Sequence, residues 1–408
     1  MQLSGSNTEK KQKGLMYWLC CLSVFIYIIS AVSCEMSQDT AFISTYAIYL
    51  VFFVGFFFLI QKNNVYINEY FVLSIMFCLY VLMRCVASNA SLTMGFQIAY
   101  WEITCVVLCL LVYLMASKYP ELVNYAMAAY IVGAIILSVR IVNEYGGINE
   151  MIELASSEGE TRIGGLFGNE NGIGLFLANG ILCCVVFLIK KKKSIISFIT
   201  IVSIFLLGTM LLFTGSRKSL VFALSGVLFI VYLNYRKSKV GKKIFVFILM
   251  VLIVFMLYNA ISTLPMFSTI NQRFELLFEG IAGEDNSYET DRVRKMMITE
   301  GLNAFYQKPL FGHGTGYSYK LFRTYSHNNF VELLMNYGIV GFVLYYSIYI
   351  CLAVKLVSHL KTNDIIVVYF LVYICVQVFL GVGWVNYYER PVQLVTSLAF
   401  GYLVSLKK

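Results

Sequence analysis

Ile244-Phe-Val-Phe-Ile-Leu-Met-Val-Leu-Ile-Val-Phe-Met-Leu-Tyr-Asn-Ala-Ile-Ser-Thr-Leu264 carries no charge and follows directly on Lys242-Lys243. A run of about 20 apolar residues is what an α-helix needs to cross a hydrocarbon core of roughly 30 Å. The run lacks the strict alternation of a barrel strand, and a helix satisfies its own backbone in lipid. Similar runs recur at about 15–33, 41–60, 69–87, 96–116, 121–142, 171–189, 194–214, 219–235, 336–354, 365–382 and 391–406, with ends good to a few residues. Of 408 residues, 59% are hydrophobic and 13% charged. Soluble chains carry about 25% charged residues, so most of this surface faces lipid. The sequence predicts an all-α polytopic membrane protein with about 12 transmembrane helices, forming one transmembrane domain over 1–408. No nucleic-acid partner is expected.

The lysines orient this bundle. Lys10, Lys11, Lys13, Lys62, Lys118, Lys190 to Lys193, Arg236, Lys237, Lys239, Lys242, Lys243, Lys355, Lys361, Lys407 and Lys408 all fall on one side of the alternating spans and make up 18 of the 31 basic residues. The positive-inside rule makes that side cytoplasmic, with both termini inside. The first run follows lysines as a signal peptide would, but it lacks a small-residue cleavage site and reads as a retained helix. The eleven cysteines sit mostly in apolar runs without metal-ligand spacing, so neither a disulfide framework nor a metal site is expected.

Arginine behaves differently. Arg84, Arg140, Arg162, Arg217, Arg273, Arg292, Arg294, Arg323 and Arg390 all lie on the outer side or near the outer end of a span. Orientation does not require them. Planar, bidentate recognition of phosphate or carboxylate is one reading; snorkelling and local ion pairing is the other.

Two outer loops exceed a turn. The first, about 143–170, is acidic and ends in Thr161-Arg-Ile-Gly-Gly-Leu-Phe-Gly-Asn-Glu-Asn171. Glycines there let backbone approach a ligand, and the next helix start presents unpaired N–H groups. The second, about 265–335, separates spans 9 and 10 and is too long for a simple connection. Ser287–Gln307 reads as an amphipathic helix with Val293, Met296, Met297, Leu302 and Phe305 as its buried stripe. Pro309-Leu-Phe-Gly-His-Gly-Thr-Gly316 stops it. A second short helix starts at Ser326-His-Asn-Asn329, capped by Ser326 or Asn328, and runs through Phe330, Leu333 and Leu334; Gly338 and Gly341 mark the passage into the next span. These two loops form the presumed active site.

Of three histidines, His359 reads as a cytoplasmic loop residue and His313 as a turn residue. His327 opens a helix at the membrane boundary amid arginines, and an ordinary pKa near 6.5 suits it to take a proton from an alcohol. The tight outer turn Thr214-Gly-Ser-Arg-Lys218 places charge where it is costly, which marks a site. No phosphate-cradling loop, Rossmann glycine pattern or His-Glu-x-x-His occurs. Glu284-Asp285 reads as a solvated acidic turn.

Four motifs in order then carry a resemblance. Arg162-Ile-Gly-Gly-Leu-Phe-Gly-Asn-Glu-Asn171, Thr214-Gly-Ser-Arg217, Asp291-Arg292 with Pro309–Gly316, and Ser326-His-Asn-Asn-Phe330 with Gly338-Ile-Val-Gly341 together resemble the bacterial O-antigen polymerase and O-antigen ligase superfamily, over about 160–345. One departure is Met296, where the family often has Trp; the position reads as packing. The resemblance implies a metal-independent, inverting glycosyltransferase without cofactor, working at the outer face of the plasma (inner) membrane. Its substrate would be an undecaprenyl-diphosphate-linked oligosaccharide, polymerised into O-antigen or capsule. It implies His327 as base, Arg217 and Arg292 as stabilisers of the leaving group, and Arg162 on a phosphate or sugar. Asn169, Asn171, Arg273, Arg294, Arg323 and Asn328 complete the substrate-binding candidates. A chain-length regulator and a flippase are the expected partners, with membrane lipid around the chain. The alternatives are a ligase passing finished glycan to an acceptor, a flippase or anion transporter, and an accessory assembly protein.

Overall fold

The structure, a computed structural model, describes residues 14–407 apart from 36, 38, 62–65, 87–91, 158–161, 165–169, 191–193 and 283–288, with backbone alone at 92, 194, 277–282 and 289–291. Among the described residues it is all helical, without strands. The helices are α1 Leu15–Cys34, α2 Ala41–Ile60, α3 Glu69–Val86, α4 Leu92–Lys118, α5 Leu122–Glu144, α6 Ile148–Ser156, α7 Glu170–Lys190, α8 Ser194–Phe213, α9 Arg217–Tyr235, α10 Val240–Thr263, α11 Ser268–Ala282, α12 Glu289–Gln307, α13 Tyr317–Phe322, α14 Asn329–His359, α15 Ile365–Leu380 and α16 Arg390–Ser405.

Every expected span has its helix. Ten are long and apolar enough to cross a membrane. The last two, α15 and α16, have 16 residues each, which at 1.5 Å per residue reach only about 24 Å. Both are largely buried against other helices rather than set in lipid. α16 lies along α4 so closely that a methyl on Gly401 would stand 2.6 Å from the Ala116 Cβ. Close backbone approach at small residues is how helices associate when lipid offers no hydrophobic drive. α10, quoted at the outset, has no buried residue and stands at the rim.

Contacts segregate the two kinds of cation. At one end Lys355 pairs with Glu69, Lys190 donates to Asn124 Oδ1 (2.8 Å), and Arg236 donates to the Leu360 carbonyl (2.7 Å). At the other, Arg390 pairs with Glu35 (2.7 Å), Arg140 donates to the Ser33 carbonyl and to Thr40, and Arg84 donates to the Gly312 carbonyl (3.0 Å). For these three arginines the local-pairing reading describes their contacts. Lys10, Lys11, Lys13, Lys62, Lys191 to Lys193 and Lys408 lie outside the described residues, as do Glu284 and Asp285.

Two expectations for the long loops change. α6 and α11 are additional helices, short enough to escape a periodicity reading. On α12 the buried residues are Met297, Gly301 and Ala304, while Val293 and Met296 are exposed. Gly301 sets that face, because its Cα lies against Val331 of α14 and only a residue without Cβ fits there. Met296 is therefore not packing. The helix starting after Asn328 is set off from the next span as expected: α14 is two helical segments that meet at a kink at Gly338, where φ is 63° and ψ is −167°.

Candidate active site

The glycine-rich segment after α12 fills the α14 break. At the break, helical donors and acceptors lose their partners, and the loop replaces them. Ile339 N donates to the Pro309 carbonyl (2.9 Å) and Val340 N to that of Leu310 (3.3 Å). In return His313 N donates to the Met335 carbonyl (2.9 Å) and Gly314 N to that of Asn336 (2.8 Å). Contact is so close that a Cβ at Gly312 would lie 2.5 Å from the Asn336 carbonyl. The His313 ring contacts the Ala304 carbonyl and stacks on Tyr317 (centroids 4.1 Å apart), so it holds the turn. Burial, partly countered by its bond to Ala304, keeps its pKa below the usual value.

The first half of α14 carries Glu332 into the interior, where it organises the turn ahead of the helix. Its carboxyl accepts from Ser318 Oγ (2.5 Å) and from Ser326 N (2.8 Å), and contacts Asn336 Nδ2 (3.4 Å). Ser326 Oγ donates to the Asn328 carbonyl (2.9 Å). Asn328 Oδ1 caps the helix, accepting from Phe330 N and Val331 N. Asn328 thus spends its side chain on the backbone. Between these anchors His327 is forced to φ 58°, a conformation that costs a non-glycine residue about 1 kcal/mol or more. Its ring rests against Tyr325, centroids 4.2 Å apart. Burial first, then repulsion from Arg294 and Lys218, lowers its pKa to about 4. The imidazole is therefore neutral near pH 7, the form that accepts a proton.

The other two motifs meet on the α9 start. Ser216 caps α9 by accepting from Ser219 N, and its hydroxyl donates to Asn171 Oδ1 (2.9 Å). The same oxygen accepts from Arg162 Nη2 (3.2 Å), while Arg162 Nε donates to the Thr214 carbonyl (3.0 Å) and Nη1 pairs with Glu170 (3.2 Å). Arg217 Nη1 donates to the Arg273 carbonyl on α11 (2.8 Å), and Lys218 Nζ to the Gly383 carbonyl (2.7 Å). The pKa of Arg162 is lowered to about 10, first by burial, with Glu170 opposing and Arg273, Arg294 and Arg217 adding repulsion. The shift reports burial first, with the neighbouring arginines adding to it.

The structure thus brings Arg162, Asn171, Arg217, Arg273 and Arg294 together, with Arg294 and Lys218 also acting on His327. Arg292, two residues before Arg294, is exposed and does not join this cluster, because residues i and i+2 of a helix face apart. Arg323 is exposed in a left-handed turn after α13 (φ 64°). Asn169 lies outside the described residues. Sequence reading missed Glu332, although an acid in the first turn of an apolar helix is a usable signal. It also missed Glu389, before α16, whose carboxyl burial and Glu35 push up to about 7 against the pull of Arg390.

An apolar groove of about 320 Å³ lies between α9 and α15. It begins at Val221, one helical turn after Arg217, and continues past Phe222, Phe229 and Cys375. A ligand with a polyanionic head and a long hydrocarbon tail has matching surfaces here.

No curated protein matches the chain significantly. The family model described as O-antigen ligase matches residues 202–346, just over a third of the chain. That stretch contains the Thr214–Arg217 turn, α11, α12, the glycine loop and His327, and over it the chain is similar to that family.

Proposed function

We propose that this chain polymerises undecaprenyl-diphosphate-linked oligosaccharide repeat units into surface polysaccharide at the outer face of the plasma membrane. The observation that carries the reading is a neutral histidine beside clustered arginines at the mouth of an apolar groove. In the reaction the acceptor hydroxyl oxygen attacks the anomeric carbon of the donor glycan, and the bond from that carbon to the diphosphate breaks. His327 takes the acceptor proton, and attack opposite the leaving group inverts the anomeric centre. The leaving diphosphate gains negative charge, and preorganised cations aimed at developing charge lower the barrier. Arg217 serves that role, with Arg294 in place of the expected Arg292, which is exposed outside the cluster. Arg162, held by Asn171, binds a phosphate or sugar, with Arg273 beside it. The arginines supply the positive charge that other enzymes draw from a bound metal. The polyprenyl tail occupies the α9/α15 groove.

The test is the length distribution of surface glycan in cells lacking the chain, complemented with wild type or His327→Ala. Single repeat units that extend only with wild type support polymerisation through His327. Full-length glycan stranded on its carrier makes the chain a ligase, which shares the donor half of this site. Normal glycan in every strain removes both and leaves transport.

A further inference from the structure

A second polar site lies inside the bundle, away from the arginines. Glu102 stands ten residues into α4, roughly 15 Å from its start. It is 3% exposed, and its Oε2 has no hydrogen-bond partner among the described residues. Glu102 lines a small cavity of about 20 Å³ with Tyr70 and Ser74 of α3, Tyr345 of α14 and Gln393 of α16, room for about one water. Its other titratable walls are Cys105 and Cys109 of α4 and Tyr387, with Cys78 and Tyr337 within electrostatic reach. Among the described residues no lysine or arginine lines it.

An ionised carboxylate in such a place requires a compensating charge, because burying a bare charge costs far more than one fold supplies. A hard metal cation takes about six oxygen ligands. This wall offers a single carboxylate, and among the described residues no group of three His, Cys, Asp or Glu side chains is placed to hold a metal ion. A proton on Oε2 answers the charge without such a shell. From the cavity wall a hydrogen-bond chain leads to the start of α14. Gln393 Nε2 donates to Tyr345 OH and to the Asn386 carbonyl (both 2.9 Å), and Tyr345 OH donates to Asn386 Oδ1 (3.2 Å). Asn386 N then donates to Asn329 Oδ1 (3.0 Å), two residues from His327.

We propose that the Glu102 cavity is a proton-binding site within the membrane, and that the Gln393–Tyr345–Asn386–Asn329 chain transmits loss of that proton to the start of α14. On release the Glu102 O–H bond breaks, its electron pair stays on the carboxylate, and the proton passes to water. The change strengthens Glu102 as an acceptor and removes it as a donor, so the neighbouring amide and phenol bonds reorient.

Two measurements on the full chain in lipid nanodiscs test this without any glycan. Infrared difference spectra of wild type against Glu102→Gln should show one protonated-carboxyl C=O band that is absent from the variant and disappears as pH rises. Glu102→Asp should shift that band rather than remove it, which covers misfolding of the glutamine variant. Amide hydrogen exchange over 326–331 should change several-fold across the same pH interval in wild type and stay constant in Glu102→Gln. A missing band together with sodium-dependent stability makes the site a metal-cation site and overturns the proposal. A band whose titration leaves 326–331 unchanged overturns the coupling.

Discussion

Replacing Gly338 by alanine attacks the junction on which the α14 start rests. The backbone there has φ 63° and ψ −167°, a region open essentially to glycine, at a cost of about 1–3 kcal/mol for another residue. The new methyl would lie 2.4 Å from the Leu310 carbonyl oxygen and 2.7 Å from Gly312 N, so the loop must withdraw by about an ångström to reach ordinary contact. Withdrawal breaks the bonds from Ile339 N to Pro309 and from Val340 N to Leu310, each worth about 1 kcal/mol net and more when its donor is left buried. Strain and lost bonds together give a destabilisation of about 4 kcal/mol. The assay is reversible unfolding of the purified chain in detergent. Gly208→Ala serves as control, since a methyl there meets nothing within 4 Å. Glycan polymerisation should fall in parallel, because the same junction positions the segment that carries Glu332 and the His327 turn. A Gly338→Ala protein within about 1 kcal/mol of wild type refutes the argument that the loop and the helix break are mutually dependent.

Other outcomes follow from the electrostatics and the cap. With a folded pKa near 4 against an ordinary 6.5, His327 favours the folded state fully above about pH 6.5, and that contribution is lost as pH falls towards 4; His327→Gln should flatten the pH dependence of stability in that window. Removing the repulsion of Arg294 raises the His327 pKa, so Arg294→Ala should move the acid limb of kcat/KM to higher pH, whereas Arg292→Ala, outside the cluster, should leave both the limb and kcat in place. Asn171→Ala frees both Arg162 and Ser216 and should weaken donor binding by about tenfold, while Asn171→Asp keeps the acceptor and should lose less, both read from KM. Glu332→Ala removes the anchor of Ser318 and Ser326, so the protein should lose about 3 kcal/mol of stability and most of its transfer activity, with Glu332→Gln intermediate in both assays.

The sequence by itself determined the spans, their alternation and the chemistry of each end. Lipid enforces these locally: a segment in hydrocarbon must be apolar and helical whatever it packs against. Lysine and arginine could be sorted by loop for the same reason, and the motifs at Arg162, Thr214–Arg217 and His327 stood out as polar sequence where polarity is costly. The depth of a helix in the bundle was not legible. α7 and α10 are both strongly apolar, yet α7 is buried along nearly its whole length and α10 nowhere, because lipid and protein interior select the same side chains. Tertiary contact alone decided that Arg294 rather than Arg292 faces His327, since the choice depends on where Gly301 seats α12 against α14. It decided too that Arg84, Arg140 and Arg390 meet local carbonyls and Glu35, and that Glu332 sets the His327 turn. The arginine partners lie far apart in the chain and come together only when the helices pack.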